Sequence, residues 1–408
     1  MNAFNPASGS ELNNILRLIT DFMRSPLSLY TWPLGSDSIN NGLSQIFFVF
    51  GQFMMSEEKS SSQSLSADKS SPNLVKIPVT ILTGFLGAGK TTLLSRLVRE
   101  CSDKRIAVIQ NEVSEEMGIE SAVVTDSNGN ILPDFFELPN GCICCTAKDD
   151  IVTALDTIVS LGRERIDAVV VETTGVADPC SVAEIFWVDS ELCSSVYLDG
   201  IVAVVDCANF SSIIKEDHIL DHGDIGRRQV AVADRILMNK TDLVDPGSVK
   251  ATRELINSIN PSAEVLMTER AAVDPNWVLS IGSFGRPPHL DDEDHMHQVS
   301  KVDHVFVSLP EAVVDKTLLD KIIGDLLWES ACGSVYRAKG LFRSRPSKEW
   351  HALQAVGALF ETNPVPAADQ IDLNRESCNA KFLFIGKNLD PKSIKNRIVS
   401  CIVSSSSA

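Results

Sequence analysis

Two textures divide the chain. Through residue 74 the apolar and polar positions follow no sustained period, and EEKSSSQSLSADKSSP is serine-rich and charged, the composition of a disordered linker. ELNNILRLITDFMRS has the spacing of one short amphipathic helix. Its Glu11 and Asp21 argue against a mitochondrial presequence, and an upstream extension with Met54 or Met55 as working start fits equally well. From Lys76 the pattern changes. VKIPVTILT, RIAVIQN, DAVVVE, GIVAVVD and RILMNK are nearly all apolar, as strands covered on both faces must be. Helical periods lie between them, in KTTLLSRLVREC and AKDDIVTALDTIVSL. This alternation predicts a doubly wound α/β domain with a mostly parallel sheet over residues 75–285. Asn260 to about Val302 reads as irregular, with GRPPHLDDEDHMHQ forming a polar, proline-bearing hinge at 286–301.

A second texture follows over 302–404. DHVFVSLP and KFLFIGKN read as strands, VYRAKGLF and HALQAVGALFE as strand-like runs, and DPKSIKNRIVSCIV as a final helix. DKTLLDKIIGDLLWES sets Leu318, Leu319, Ile322, Ile323, Leu326 and Leu327 on one helical face. These elements predict a smaller α+β domain.

Composition narrows the partners. Of 408 residues 44% are hydrophobic and 22% charged, enough to bury a core. A formal net charge of −18 repels phosphate backbones and anionic lipid, which excludes nucleic acid and membrane as general partners. GLSQIFFVFGQFMM is too short and polar to span a bilayer and lacks the flanks of a signal peptide. A cytoplasmic setting follows, in which thiols stay reduced. Of ten cysteines, Cys101, Cys180, Cys193, Cys207, Cys332, Cys378 and Cys401 are scattered and read as small buried hydrophobes. Cys142, Cys144 and Cys145 crowd into GCICC, a spacing unsuited to a disulfide framework and suited to a metal or redox site.

GFLGAGKT, Gly84 to Thr91, fits G-x-x-x-x-G-K-[ST] at every fixed position, after an apolar strand and at the start of a helix. Gly84, Gly87, Ala88 and Gly89 bring backbone amides around a β-phosphate, Lys90 reaches the β and γ phosphates, and the Thr91 hydroxyl, followed by Thr92, offers a Mg²⁺ position. NKTD, Asn239 to Asp242, closes a later strand. A carboxylate at Asp242 accepts from guanine N1–H and the 2-amino group, which adenine cannot match, so the nucleotide is read as GTP. Asn239 and Lys240 would support the base and the P-loop. VVVETTG puts Glu172 at a buried strand tip, where Mg²⁺ is held or the attacking water oriented; the alternative is a helix N-cap region with Thr173 or Thr174 as cap.

In GCICC, three thiols from one turn precede a helix whose N-terminus favours the thiolate. Three thiolates suit Zn²⁺, with Cu(I) and Co²⁺ as competitors and a redox pair as the rival reading. Glu112 and Glu115 in QNEVSEE are candidates for a further ligand. His289, His295 and His297, among Asp291, Asp292, Glu293 and Asp294, read as a solvated hinge more readily than as a metal relay.

Taken in order, GFLGAGKTT, NEVSE, GCICC, ETTGVADP and NKTD resemble the motif series of the CobW-domain family of metal-linked P-loop GTPases. VYRAKGLF and FLFIGKNLD resemble that family's C-terminal domain, so the likeness runs from about Lys76 to Val403. Within the family the chain is most similar to the zinc-regulated GTPase activators. The resemblance implies a Mg²⁺-dependent GTPase that binds zinc at its CxCC motif and inserts it into a client metalloenzyme. The same machine serving cobalt, or a zinc buffer or sensor that binds GTP without productive hydrolysis, are the alternatives. Val113 and Ser114 depart from the family's NEFGE. Eukaryotic zinc activators carry a Cys-Pro-Glu-Leu-Val-like segment that docks methionine aminopeptidase; here it reads SPNLVKIP, with Ser71 at the cysteine position.

Overall fold

The computed structural model describes residues 76–101, 104–110, 123–124, 147–160, 166–188, 195–215, 222–284, 301–310, 312–329, 331–347, 349–375 and 379–402. The first part of the described chain runs β1 (Ile77–Thr83), α1 (Lys90–Glu100), β2 (Ile106–Gln110), β3 (Val123–Val124), α2 (Ala147–Ser160), β4 (Ala168–Glu172), α3 (Pro179–Ala183), α4 (Ile185–Val188), β5 (Val196–Asp206), α5 (Phe210–Lys215), α6 (His222–Val232), β6 (Arg235–Asn239), α7 (Pro246–Ile259), β7 (Glu264–Met267) and α8 (Pro275–Val278). The strands form one sheet in the order β3-β2-β4-β1-β5-β6-β7. All neighbours are parallel except β2 and β3. Val169, Val170 and Val171 of β4 and Ile201, Val202 and Ala203 of β5 are shielded on both faces, which is why these strands read as unbroken apolar runs.

The second part runs β8 (Asp303–Leu309), β9 (Val313–Val314), α9 (Lys316–Trp328), β10 (Ser334–Ser344), β11 (Trp350–Val356), β12 (Leu359–Pro364), α10 (Ala367–Arg375), β13 (Ala380–Lys387) and α11 (Pro391–Val399). Its sheet is ordered β12-β11-β10-β13-β8, with β9 beside β10. The main pairings are antiparallel. Among the described residues no helix is long and apolar enough to cross a membrane.

The expected irregularity after Asn260 needs correction, because β7 and α8 lie there. β7 is a four-residue edge strand whose side chains are largely exposed, so it lacks the apolar run that marks the central strands. The face expected on α9 is also narrower. Leu319, Ile322, Ile323 and Leu326 are buried, whereas Leu318, at the edge of that arc, is 39% exposed. Cys101, Cys180, Cys207, Cys332 and Cys401 are buried free thiols, as small apolar residues would be.

The two sheets are joined through charge as well as apolar contact. Asp234, just before β6, is buried, and its carboxylate accepts from the Ile201 amide at 3.0 Å. Two cations of β10 reach the same carboxylate: the fully buried Arg337, and Lys339 at 3.3 Å. Arg337 also donates to Gln354 Oε1 at 3.0 Å and lies over the Phe284 ring. Burial alone would raise the Asp234 carboxyl, but Arg337 and Lys339 outweigh it and hold it below the usual carboxylate range.

Removing one member of such a group strands a buried charge. Arg337→Met should therefore cost about 3–5 kcal/mol in chemical denaturation, less whatever Lys339 recovers. Because the native carboxyl is depressed, its contribution is complete above the unfolded value of about 4. It is lost as pH falls through the lower native value. Asp234→Asn cannot take up that proton, so after normalisation to neutral stability its acid-unfolding curve should shift to lower pH, although its stability at neutral pH falls.

Candidate functional site

The carboxyl edge of the parallel sheet assembles the site. β1 ends at Thr83, and the chain turns through Gly84 at φ 138° and Gly89 at φ 109°, values that L side chains rarely adopt. Space enforces the same choice. A Cβ on Gly84 would overlap the Val204 carbonyl, and one on Gly89 would overlap the Asn239 side chain. The turn delivers Lys90 and Thr91 to the first turn of α1. Lys90 is buried and donates through Nζ to Gly84 O at 2.9 Å and Phe85 O at 3.3 Å, which holds its charge inside the loop. Ala88 is buried behind the loop, Gly87 is exposed at its crest, and Thr92 is exposed on α1.

Glu172 ends β4 and is fully buried. Parallel register sets it between Leu82 of β1 and Gln110 of β2. Its Oε1 accepts from the Thr91 hydroxyl at 2.8 Å and its Oε2 from Gln110 Nε2 at 3.0 Å. Thr91 and Glu172 are thus in contact, while Lys90 lies in the same loop; hydroxyl and carboxylate are the hard oxygen donors that Mg²⁺ takes. The alternative of Thr173 or Thr174 as helix cap gives way to Asp178, which caps α3 through the Cys180 amide at 3.0 Å. Thr173 is instead bonded to Leu82 O of β1.

Asn239 ends β6. Its Nδ2 donates to Ala88 O of the P-loop at 2.9 Å, and its Oδ1 accepts from the Ala271 amide at 2.8 Å. Lys240 has φ 60°, which ends the strand. Its ammonium pairs with Asp206 Oδ2 at 2.8 Å. Burial would raise the Asp206 carboxyl, but bonds from Lys240, Asn209 and the Ala208 amide hold it below its usual value. Asp242 follows in a 3₁₀ turn, Thr241–Leu243, with its side chain exposed.

Gln110, Asp206 and the Thr268–Ala271 turn were missed by motif reading. Gln110 and Asp206 stand within and at the end of runs read only as strands; their roles depend on which strands are neighbours. The Thr268–Ala271 turn holds Asn239 and, through Thr268 O, the Thr241 amide at 3.4 Å. Thr268 O and the Ala271 amide act through the backbone, so no side-chain pattern announces them. Cys142, Cys144, Cys145, Glu112, Glu115, His289, His295, His297 and Ser71 lie outside the described residues. Among the described residues no group of three or more His, Cys, Asp or Glu could hold a metal ion.

Residues 78–267 match the family model described as CobW/HypB/UreG, nucleotide-binding domain, and residues 304–402 match the cobalamin synthesis protein cobW C-terminal domain. The chain is 32% identical over 351 residues to Zinc-regulated GTPase metalloprotein activator 1 of Schizosaccharomyces pombe, spanning 77% of this chain and 83% of that protein. It belongs to the CobW family. The zinc chaperone CobW of a Sinorhizobium species is 33% identical, over 71% of this chain and 88% of its own. The crystal structure of Zn(II)-bound YjiA GTPase from E. coli superposes with a TM-score of 0.62 at 25% identity, covering 80% of this chain and 99% of that one. This CobW-family chain is a P-loop GTPase, with Lys90, Thr91 and Glu172 brought together around the phosphate loop.

Two outcomes follow from this geometry. Glu172→Gln should keep GTP binding and lower kcat by about 10²-fold or more, because an amide fills the space but cannot hold water or Mg²⁺ as a carboxylate does. Single-turnover assays would return Glu172 to a structural role if the rate held. Asp242→Asn should weaken GTP and favour xanthosine triphosphate, whose 2-oxo group accepts from the new amide. Competition binding with both nucleotides reads that exchange directly.

Proposed function

We propose that this CobW-family GTPase is a zinc metallochaperone, which binds zinc through Cys142, Cys144 and Cys145, with Glu112 or Glu115 as a further ligand, and transfers it to a client metalloenzyme. Zinc is the cargo. The names of the relatives support this reading: a zinc-regulated GTPase metalloprotein activator and zinc chaperones. The observation that carries it is the hydrogen-bonded series Thr91, Glu172, Gln110. It links the P-loop to the last residue of β2, and Asn111 and Glu112 follow Gln110 directly in the chain.

In this reading Mg²⁺, when bound, neutralises charge building on the transferring phosphate oxygens. Lys90 holds the phosphates from within the loop, and Thr91 and Glu172 supply oxygen donors at its mouth. Glu172 orients the attacking water from a site shielded on the protein side, where its field is little screened. Asn239 fixes the base-binding turn to the P-loop, and Asp242 selects guanine. Loss of the γ-phosphate releases whatever the phosphate ordered near Gln110, and the carboxylates at Glu112 and Glu115 move relative to the thiolates. The client is a metalloenzyme; methionine aminopeptidase is one candidate, with Ser71 in place of the docking cysteine. Cobalt in place of zinc, and a zinc buffer, are outcomes of the test.

Zinc affinity should then differ between the GTP and GDP states by roughly 5- to 150-fold, and zinc must change GTP affinity by the same factor. Cys144→Ser should lose tight zinc while keeping GTP binding. Chelator competition with GTP analogue, GDP and no nucleotide measures all three arms. Equal zinc affinity across them would remove the transfer mechanism and leave a buffer, and tighter Co²⁺ than Zn²⁺ at cellular availability would replace the cargo.

A further inference from the structure

The loop that follows Glu172 is held from two sides. On one side it rests on the P-loop: Gly175 packs so closely that a Cβ there would overlap the Leu86 backbone. On the other side it meets α6. Gln229 Nε2 donates to Gly175 O at 3.1 Å and to Ala177 O at 3.2 Å. Its neighbour Arg228 pairs through Nη1 with Asp178 Oδ2, while Asp178 Oδ1 caps α3. The loop backbone and its terminal carboxylate are therefore both gripped by consecutive residues of one helix.

The same Arg228 faces the second sheet. Its guanidinium lies over the Tyr336 ring on β10, 4.7 Å from the ring centre. One turn earlier on α6, Asp224 pairs with Lys387 of β13 at 3.1 Å. A further contact bypasses α6: at Gly357, between β11 and β12, a Cβ would come within 3.1 Å of Cys180 Cβ on α3. The C-terminal sheet thus touches both the helix that holds the loop and the helix that the loop caps. A planar guanidinium suits this place, because its edge can pair with a carboxylate while its face stacks on an aromatic ring.

We propose that Arg228 and Gln229 are positioning residues for the phosphate-side loop Thr173–Asp178, and that Arg228 with Tyr336 passes the nucleotide state of that loop to the C-terminal sheet. Displacing the loop displaces Asp178 and the two carbonyls on Gln229. Arg228 then either follows and shifts against Tyr336 or loses its carboxylate. The coupling is reciprocal: a contact that displaces the C-terminal sheet changes the preference for GTP over GDP. The inference rests on the GTPase assignment and does not depend on zinc.

The test uses the full chain with Mg²⁺, GDP and a non-hydrolysable GTP analogue, without zinc. Arg228→Gln should lower the ratio of analogue to GDP affinity by about 5-fold or more, with GDP binding little changed, and reduce kcat more than it raises KM. Tyr336→Leu touches no nucleotide, yet should shift the ratio in the same direction. The double variant should add little to either single change, because both break one link. Arg228→Lys should recover only part of the ratio. A joint that merely holds the two sheets together would lower the melting temperature and leave the ratio alone; that result, or equal weakening of both nucleotides, overturns the proposal. Should Arg228→Gln fail to fold, Tyr336→Leu, which removes the ring from under the guanidinium, gives the same ratio test, and an unchanged ratio there is equally decisive. Wild-type protein without GTP binding would instead defeat the nucleotide assignment itself.

Discussion

A carboxylate buried at the end of a strand must find donors, and Glu172 finds them in two directions. Thr91 reaches it from the helix after β1, and Gln110 from the tip of β2. Both bonds exist because β4 lies between β1 and β2, with Glu172 in register with Leu82 and Gln110. The sheet order thus organises this site as much as the P-loop does. Left unpaired, a carboxylate buried there would cost several kcal/mol. The site is consequently organised by satisfying one buried group.

The same logic recurs at the joint between the sheets. Asp234 receives an amide from β5 and two cations from β10, so a polar group of the first sheet is completed only when the second is docked. A buried ion group is weak evidence for stability, since apolar residues of equal volume often do as well. What it provides here is register. An Arg337 displaced by two residues along β10 would leave a charge without its partner, whereas Val335 or Leu341 could slide against apolar neighbours at far smaller penalty. The docking that brings Tyr336 beneath Arg228 inherits that registration, because Tyr336 and Arg337 are adjacent.

How much of this was legible in the sequence depends on the range of each interaction. The P-loop and the central strands were readable because their rules are local: glycine where the backbone must curl, apolar runs where both faces are covered. NKTD stood out as a candidate because its residues are consecutive. Gln110 was not, because its significance lies in a strand order that no spacing encodes. Asp206 ends a strand and looks like an ordinary terminating acid until Lys240 is seen against it. β7 escaped detection because an exposed edge strand need not be apolar, and Leu318 was over-assigned because helical periodicity identifies an arc but not its width. Asp178 captured the capping role considered for Thr173 and Thr174 because the helix starts later, at Pro179.

Under the proposed reading the chain handles two metals whose ligand preferences scarcely overlap. Hydroxyl and carboxylate oxygens at Thr91 and Glu172 suit Mg²⁺, and the thiols of Cys142, Cys144 and Cys145 suit zinc. Affinity order alone would let zinc compete at nearly any nitrogen or oxygen site, so a protein that uses both ions must separate them by donor type and place. Oxygen donors near phosphates favour the abundant hard ion, while thiolates retain the scarce soft one. Communication between such sites cannot pass through a shared ligand without mixing the metals. It has to pass through protein groups that bind neither ion. Gln110 is placed for that toward the segment of Glu112, and Arg228 toward the C-terminal sheet, each bonded to a residue of the phosphate side and neither carrying a metal-ligating oxygen or sulfur of high affinity.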